Sequence, residues 1–487
     1  MHMQFPAVAT LTLTILAGTP MALAADGDLD TTFNGTGEAA VLSGTAGGGN
    51  VQVLAQPDGG VVLVGTTSPI FQIGVTRLHA DGSTDTSFGT NGLATVTLPS
   101  GSTPDNVAAA LDSTNRIVIG ATADFGDHSV MFVARLTGSG QPDSAFHGSG
   151  TLSITRFYVA SQGDRVAGIA VYSDPTAFAA SDTILVAGSM QDTFGQFNAR
   201  DVAVVPVNDD GSYVTLSSVG NDGFFYDGGF DTARCYRASV PGGAGYDSAT
   251  ALARRWYPGS GSELVAVTGN ALSLGNQPNF GFVLELDGSL HTVNSFGSSG
   301  FSEFIFAASG TAESSAIALD DSNRVLVAGT DTGAHYNVGV ARILTTGYYD
   351  TTFNGNGRKT VDFDESAQTF YSQGVAILAQ HDGRVLVGVQ IEPGSISGTQ
   401  EFGLVRLTAG GAADSTFTGG TTIVGARKYP FSPNNDYPNS MAFTQGEKVL
   451  LAGIVNQPSN EYGVLRATND RIFGDGAEAA AYLPRIP

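Results

Sequence analysis

At one recurring position, the end of an apolar run such as "MFVAR" or "FGLVR", four arginines each stand eight residues ahead of an aspartate: Arg77 and Asp85, Arg135 and Asp143, Arg342 and Asp350, Arg406 and Asp414. Where Pro206 and Glu285 replace the arginine, Leu216 and Val293 replace the aspartate. Joint presence and joint loss within one chain predict that each arginine holds the aspartate of its own turn. A planar guanidinium suits two-pronged capture of a carboxylate. Such a structural ion pair is worth only ~0.2–1 kcal/mol when exposed, and breaking it costs more when it is buried. The competing use, guanidinium groups lining a ligand channel, is the weaker one. Arg466 holds the same place near the C-terminus, so Asp30 or Asp470 is expected to complete its pair.

Other reactive side chains form no recognised constellation. The seven histidines are scattered, with none at a His-x-x-x-His spacing. There is no Gly-x-Ser-x-Gly elbow and no phosphate-binding loop, so no catalytic residue is assigned. The acidic clusters Asp26-Gly27-Asp28-Leu29-Asp30, Asp209-Asp210, Asp320-Asp321 and Asp362-Phe363-Asp364-Glu365 match no EF-hand loop. They invite a Ca2+ reading without specifying a site, and no cofactor is called for. The best ligand-binding stretch is the least repetitive one, Asn221 to Gly261, read as a long irregular connection. It carries Arg234, Arg237, Arg254, Arg255, Trp256 and Tyr257, a set suited to an acidic or sugar-like ligand through cation–π and stacking contacts. The sole cysteine, Cys235, lies there too and reads as inert.

The elements that position these groups follow from a repeat. "LDTTFNGTG" at Leu29 to Gly37 returns as "YDTTFNGNG" at Tyr349 to Gly357. The phenylalanine of that corner has kin at Phe88, Phe146, Phe296, Phe417 and Phe473, with Val219 in a degenerate copy. Eight anchors enclose seven units. Each unit holds a β-branched run such as "VVLVG", "ILVAG" or "VLVAG", preceded by a turn and an earlier apolar run. Pro-Asp-Gly and His-Asp-Gly between apolar runs are hairpin signals, because Asp and Gly tolerate positive φ. A third run ("MFVARL", "FGLVRL") and a weaker fourth ("LATVTL") complete four short strands per unit. One such unit cannot bury both faces alone, so stacking is required. The pattern predicts an all-β, seven-bladed β-propeller of four-stranded blades over residues 25–476, after a signal peptide at 1–24 and before a short tail at 477–487. The aromatic anchors are expected to fill the space between blades. The glycine four places on (Gly37, Gly92, Gly150, Gly223, Gly300, Gly357) is expected to need positive φ or close backbone approach. Asn34-Gly35-Thr36 is a glycosylation sequon whose asparagine is explained as a turn residue.

Composition limits the partners. Glycine is 65 of 487 residues, charged residues are 14% and the net charge is −23. That balance disfavours nucleic acid and anionic membrane surfaces. An apolar N-terminal run ends at Ala22-Leu23-Ala24, a small-x-small cleavage site, although no Lys or Arg precedes the run. No later run is long enough to span a membrane as a helix. The expectation is an exported monomer, periplasmic or extracellular.

These motifs resemble the delta-60 repeat family of bacterial exported proteins. The resemblance rests on "QPDGGVVLVG" (Gln56 to Gly65), "IGVTRLHADGSTDTSFGTNG" (Ile73 to Gly92) and "YNVGVARILTTGYYDTTFNGNG" (Tyr336 to Gly357). It implies a propeller-like architecture and export, and no particular activity. The leading functional reading is a scaffold that binds an extracellular protein or glycan. The alternative is a metal-assisted hydrolase or lyase with its site in the central channel.

Overall fold

The computed structural model describes residues 25–41, 46–67, 72–154, 163–173, 182–191, 200–214, 222–224, 234–241, 247–257, 262–272, 279–308, 310–333, 336–363, 371–392, 399–417, 419, 421–456 and 459–469. Every regular element among them is a β-strand. A short strand β1 (Glu38–Val41) precedes the first complete sheet, β2 (Ala46–Ala55), β3 (Val61–Thr67), β4 (Gln72–Leu78) and β5 (Leu93–Val96). The next is β6 (Thr103–Leu111), β7 (Ile117–Asp124), β8 (Ser129–Leu136) and β9 (Thr151–Ile154). The third has five strands: β10 (Arg165–Ser173), β11 (Asp182–Gln191), β12 (Arg200–Asn208), β13 (Asp222–Phe224) and β14 (Arg234–Ala238). In it β14 pairs with β12 and β13 lies outside. The fourth is β15 (Ser248–Tyr257), β16 (Ser262–Ala271), β17 (Phe280–Asp287) and β18 (Phe301–Phe304).

Two further antiparallel arrays follow. One is β19 (Ala312–Leu319), β20 (Val325–Thr332), β21 (Tyr336–Ile343) and β22 (Arg358–Val361). The other is β23 (Tyr371–Ala379), β24 (Val385–Glu392), β25 (Glu401–Leu407) and β26 (Ala426–Tyr429). A single parallel pairing, Tyr336 with Tyr371, joins them into one hydrogen-bonded sheet. Last come β27 (Tyr437–Phe443), β28 (Val449–Asn456) and β29 (Asn460–Ala467), and β1 from the other end of the chain completes their sheet by pairing with β29.

The second strand of each array is buried along nearly its whole length, as in β3 and β7. Continuous burial is what a strand covered on both faces requires, and the uninterrupted Val, Ile and Leu runs supply it. Each hydrophobic cluster is shared by two consecutive sheets. Val62, Val64 and Phe88 pack with Val107 and Ile119, for example, and Phe33, Val53 and Leu63 pack with Leu450 and Val464. The first strands touch in chain order, β2 to β6, β10, β15, β19, β23 and β27, and β27 returns to β2. The sheets therefore form a closed ring.

The first strands all carry a register shift, as at Asp105/Val107, Ser314/Ala316 and Pro438/Ser440. A bulge leaves ladder amides unpaired, and neighbouring sheets supply the missing acceptors. Val107 N donates to Asn50 Oδ1, Val166 N to Thr122 Oγ1 and Ser314 N to Asn270 Oδ1.

The stretch from Asn221 to Gly261 is not one irregular connection. Arg234 and Arg237 lie on β14, whereas Arg254, Arg255, Trp256 and Tyr257 lie on β15 in the next sheet. The third unit is long because it holds an additional strand. Tyr236 at the centre of β14 is 1% exposed and packs with Val204, Val265 and Phe282. It stands in the one inter-sheet cluster whose corner has lost its phenylalanine. Val219, Phe473 and Asp470 lie outside the described residues.

Candidate functional site

The repeated corner is the most elaborate polar construction in the ring. After the third strand the chain turns through a left-handed residue: Asn34 (φ 51), His147 (φ 49) and Asn354 (φ 51) occupy the place after the aromatic anchor. The exposed Asn34 side chain donates to Glu38 O. Gly37, Gly92, Gly150, Gly300 and Gly357 all have φ between 79 and 91. Gly223 instead lies within β13, opposite Cys235. In the sixth unit Gly425 (φ 76) takes over the position, and its carbonyl accepts from Arg406 N as those of Gly150 and Gly357 accept from Arg135 N and Arg342 N.

Each corner brings its arginine and aspartate together. Arg77, Arg135, Arg342 and Arg406 donate through Nε to Oδ2 of Asp85, Asp143, Asp350 and Asp414 at 2.7–2.8 Å. Asp30 does the same for Arg466 at 2.6 Å, so the N-terminal corner belongs to the sheet of β29. The other carboxylate oxygen caps the turn, as where Ser87 N and Oγ donate to Asp85. The guanidinium also lies over the anchor ring, with 4.6–5.0 Å to the centroids of Phe88, Phe146, Phe353, Phe417 and Phe33.

The same arginines reach the next sheet. Nη1 of Arg77, Arg135, Arg342 and Arg466 donates to the carbonyls of Gly138, Asp209, Ala409 and Ala80. Each therefore fastens its own corner and binds two sheets together. Burial by itself would raise Asp85, Asp30, Asp350 and Asp414, but their hydrogen bonds and arginines outweigh it. Asp85 and Asp30 are held down at about 2, and Asp350 and Asp414 are also lowered.

A second cation at these corners was not anticipated from the sequence. Arg116, Arg324, Arg384 and Lys448 stand directly before the second-strand runs and approach Asp143, Asp350, Asp414 and Asp30 at 3.5, 3.0, 3.5 and 2.6 Å. The three arginines are also held by an aspartate of their own hairpin, Asp112, Asp320 and Asp382. The signal was present in "NRIV", "NRVLV", "GRVLV" and "EKVLL", one residue ahead of runs already aligned.

The calcium candidates are largely bound up in this network. Among the described residues Asp112, Asp182 and Asp209 offer oxygens within 4.8 Å of one another, as an ion would need. The guanidinium of Arg116 stands against all three. Burial works against its charge, yet Asp112, Asp209 and Asp143 hold its pKa above the ordinary arginine value. Asp26 pairs with Arg406 and Asp28 with Arg427, each at 2.6 Å. Asp321 pairs with Arg255 and His381. Asp364 and Glu365 lie outside the described residues.

Of the proposed ligand-binding set, Arg254 and Arg255 are the two whose side chains are described, and both are engaged within the ring. Arg254 pairs with Glu263 and donates to Val171 O, while Arg255 reaches Asp320 O and Asp321 in the following sheet. The side chains of Arg234, Arg237, Cys235, Trp256 and Tyr257 lie outside the described set. No helix among the described residues is long and apolar enough to cross a membrane.

One family profile agrees with the ring. Described as "Domain of unknown function (DUF5122) beta-propeller", it matches residues 56–88 and 380–417, in the first and sixth units. No curated protein matches. Among solved structures, a protein of unknown function from Dyadobacter fermentans superposes at a TM-score of 0.42 and 11% identity, over 77% of this chain and 98% of that one. A PL25 ulvan lyase superposes at 0.43 and 10% identity, over 91% of this chain and 100% of that one. The polysaccharide lyase Uly1 does so at 0.37 and 9%, over 88% and 92%. The matched profile and the sheets packed in sequence around the ring identify the fold as a β-propeller.

Proposed function

We propose that this chain is an exported seven-bladed β-propeller of the delta-60 repeat kind, acting as a monomeric scaffold that binds an extracellular protein or glycan in the periplasm or outside the cell. Residues 1–24 are its signal peptide and 477–487 a tail. The seven-blade count is supported by the cycle of first strands and by the four-stranded arrays between them.

The scaffold reading is carried by one observation: the recurring charges of the ring are matched to each other. Metal-assisted or general-acid chemistry needs a carboxylate that is not already neutralised. Among the described residues, the three carboxylates that come within 4.8 Å of one another surround Arg116, and the corner aspartates hold one or two cations each. That is the pattern of a frame whose charges keep its parts in place.

The test is unfolding of the protein from Ala25 onward in EDTA and then in added Ca2+, alongside a panel of anionic polysaccharides. A scaffold shows the same midpoint in both conditions and saturable binding without product release. A Ca2+-dependent rise in midpoint together with cleavage of a bound polysaccharide would replace it with the metal-assisted hydrolase or lyase reading.

A further inference from the structure

Five corners have the arginine–aspartate pair, and four of them add the second cation. The first unit is the exception. Its hairpin reads Gln56-Pro57-Asp58-Gly59-Gly60 where the sixth reads Gln380-His381-Asp382-Gly383-Arg384. Strand register makes the correspondence firm: Val61 faces Leu78 as Val385 faces Leu407, so Gly60 stands where Arg384 does.

A pocket of about 570 Å3 opens at that place, lined by Gln56, Asp58, Arg77, His79 and Asp85 among others. The loss of the cation shows in its neighbours. The Arg77 side chain is 21% exposed, whereas its counterparts Arg135, Arg342, Arg406 and Arg466 are 0–8% exposed. Asp58 pairs with no cation among the described residues, although Asp382 in the same position holds Arg384. Gln56 is 4% exposed and its Oε1 has no hydrogen-bond donor, a feature it shares with Gln380 Oε1 beside Arg384. The Gln56 oxygen lies 2.9 Å from where a Cβ on Gly60 would stand, with Asp58 Oδ1 at 3.0 Å. Asp58, Asp81 and Asp85 set three carboxylates against the single charge of Arg77.

We infer that the first blade carries a binding site for a guanidinium group on a flexible chain, such as the arginine side chain of a partner protein. The guanidinium would lie where sister blades place their own arginine, between Asp58 and the Oδ2 of Asp85, as Arg384 lies between Asp382 and Asp414. A planar fork with several donors suits such an array better than a compact ammonium, and three of the four sister cations are arginines. The inference deepens the scaffold reading by naming the chemistry of one partner group, and rests on it.

The test uses N-acetyl-L-arginine amide titrated into the protein at low salt by calorimetry, with N-acetyl-L-citrulline amide as its uncharged analogue. The arginine compound is expected to bind saturably, to weaken as salt rises and to bind at least tenfold more tightly than the citrulline compound. Gly60→Arg, which supplies the missing side chain internally, is expected to abolish binding. The nearest atoms to its Cβ are the side-chain oxygens of Gln56 at 2.9 Å and Asp58 at 3.0 Å and the Leu78 carbonyl at 3.4 Å. Asp58→Asn, at an exposed position, keeps the site open and should weaken binding about fivefold, the scale of one partly exposed charge pair. No saturable binding, equal binding of both compounds, or binding undiminished in both variants would each overturn the site. A wild-type protein that binds a polysaccharide but not the arginine compound loses this site and keeps the scaffold reading.

Discussion

Replacing Asp30 by asparagine tests whether the ends of the chain are fastened by the corner described above. The carboxylate is lowered from 3.8 to about 2, because Lys448, Thr32 and Arg466 together outweigh the burial that would raise it. A tenfold change in proton affinity is worth about 1.4 kcal/mol, so a carboxyl held that far down contributes at most about 2.5 kcal/mol. Lys448 is 36% exposed, so screening reduces the expectation to roughly 1.5–2.5 kcal/mol. The sign follows from proton binding. As pH falls, the unfolded chain takes up the proton near 3.8 while the folded chain resists until about 2, so the contribution is complete above about pH 5 and disappears through that window. Urea unfolding of wild type, Asp30→Asn, Arg466→Met and the double variant at pH 7 and pH 3 measures it. The single variants should each lose stability at pH 7, with a coupling of at least about 1 kcal/mol that shrinks at pH 3. Additivity within about 0.5 kcal/mol at pH 7, or a coupling unchanged at pH 3, would show that the corner does not fasten the ends.

Other expectations follow from single residues. Glu285 is 2% exposed, its Oε1 has no partner, and burial raises its carboxyl from 4.5 to about 8. The folded state keeps a proton that the unfolded state has lost, so stability should fall as pH rises from about 4.5 to 8. Glu285→Gln should flatten that slope and be more stable than wild type at pH 9 by roughly 2–4 kcal/mol in urea titrations. Glu447 sits at φ 60 in the hairpin position where Gly59 and Gly383 occur. Glu447→Gly should raise the unfolding free energy by about 0.5–1 kcal/mol, and a loss would refute the strain argument. In the first corner, Gly35→Ala has open space around the new methyl at φ 74 and should cost about 1 kcal/mol. Gly37→Ala sets a Cβ 2.7 Å from that of Leu29 at φ 90 and should cost at least twice as much; equal losses would refute the distinction.

Much of the ring was legible because its punctuation repeats. Aspartate, phenylalanine and glycine at fixed offsets mark a turn that admits few other side chains, and a register shared by successive repeats averages out local ambiguity. The arginine–aspartate pairing was readable from its joint loss at Glu285 and Val293. The second cation escaped because its hairpins are spelled differently, as DSTNR, DSNR, HDGR and QGEK, and only the strand that follows aligns them. The stretch around Arg234 read as a loop because β14 is five residues long and flanked by glycines. Its place between β12 and β13 depends on a pairing that no local alternation announces. The pocket beside Gly60 was invisible for a related reason: it is an omission, apparent only once the side chains that fill the other corners are seen.

The pairing of Asp30 with Arg466 spans 436 positions, whereas the equivalent pairs elsewhere span 8. Closing the longer loop from an open chain costs about 3.5 kcal/mol more in chain entropy, on logarithmic scaling. The same chemistry that forms early and locally in the inner units must therefore form last at the seam, after the intervening sheets have brought the two ends together. Until then the sheet of β27 to β29 lacks β1, and the bare edge of β29 is open to pairing with another molecule. The seam thus ties exposure to aggregation to the lifetime of the incomplete ring as well as to the stability of its sheets.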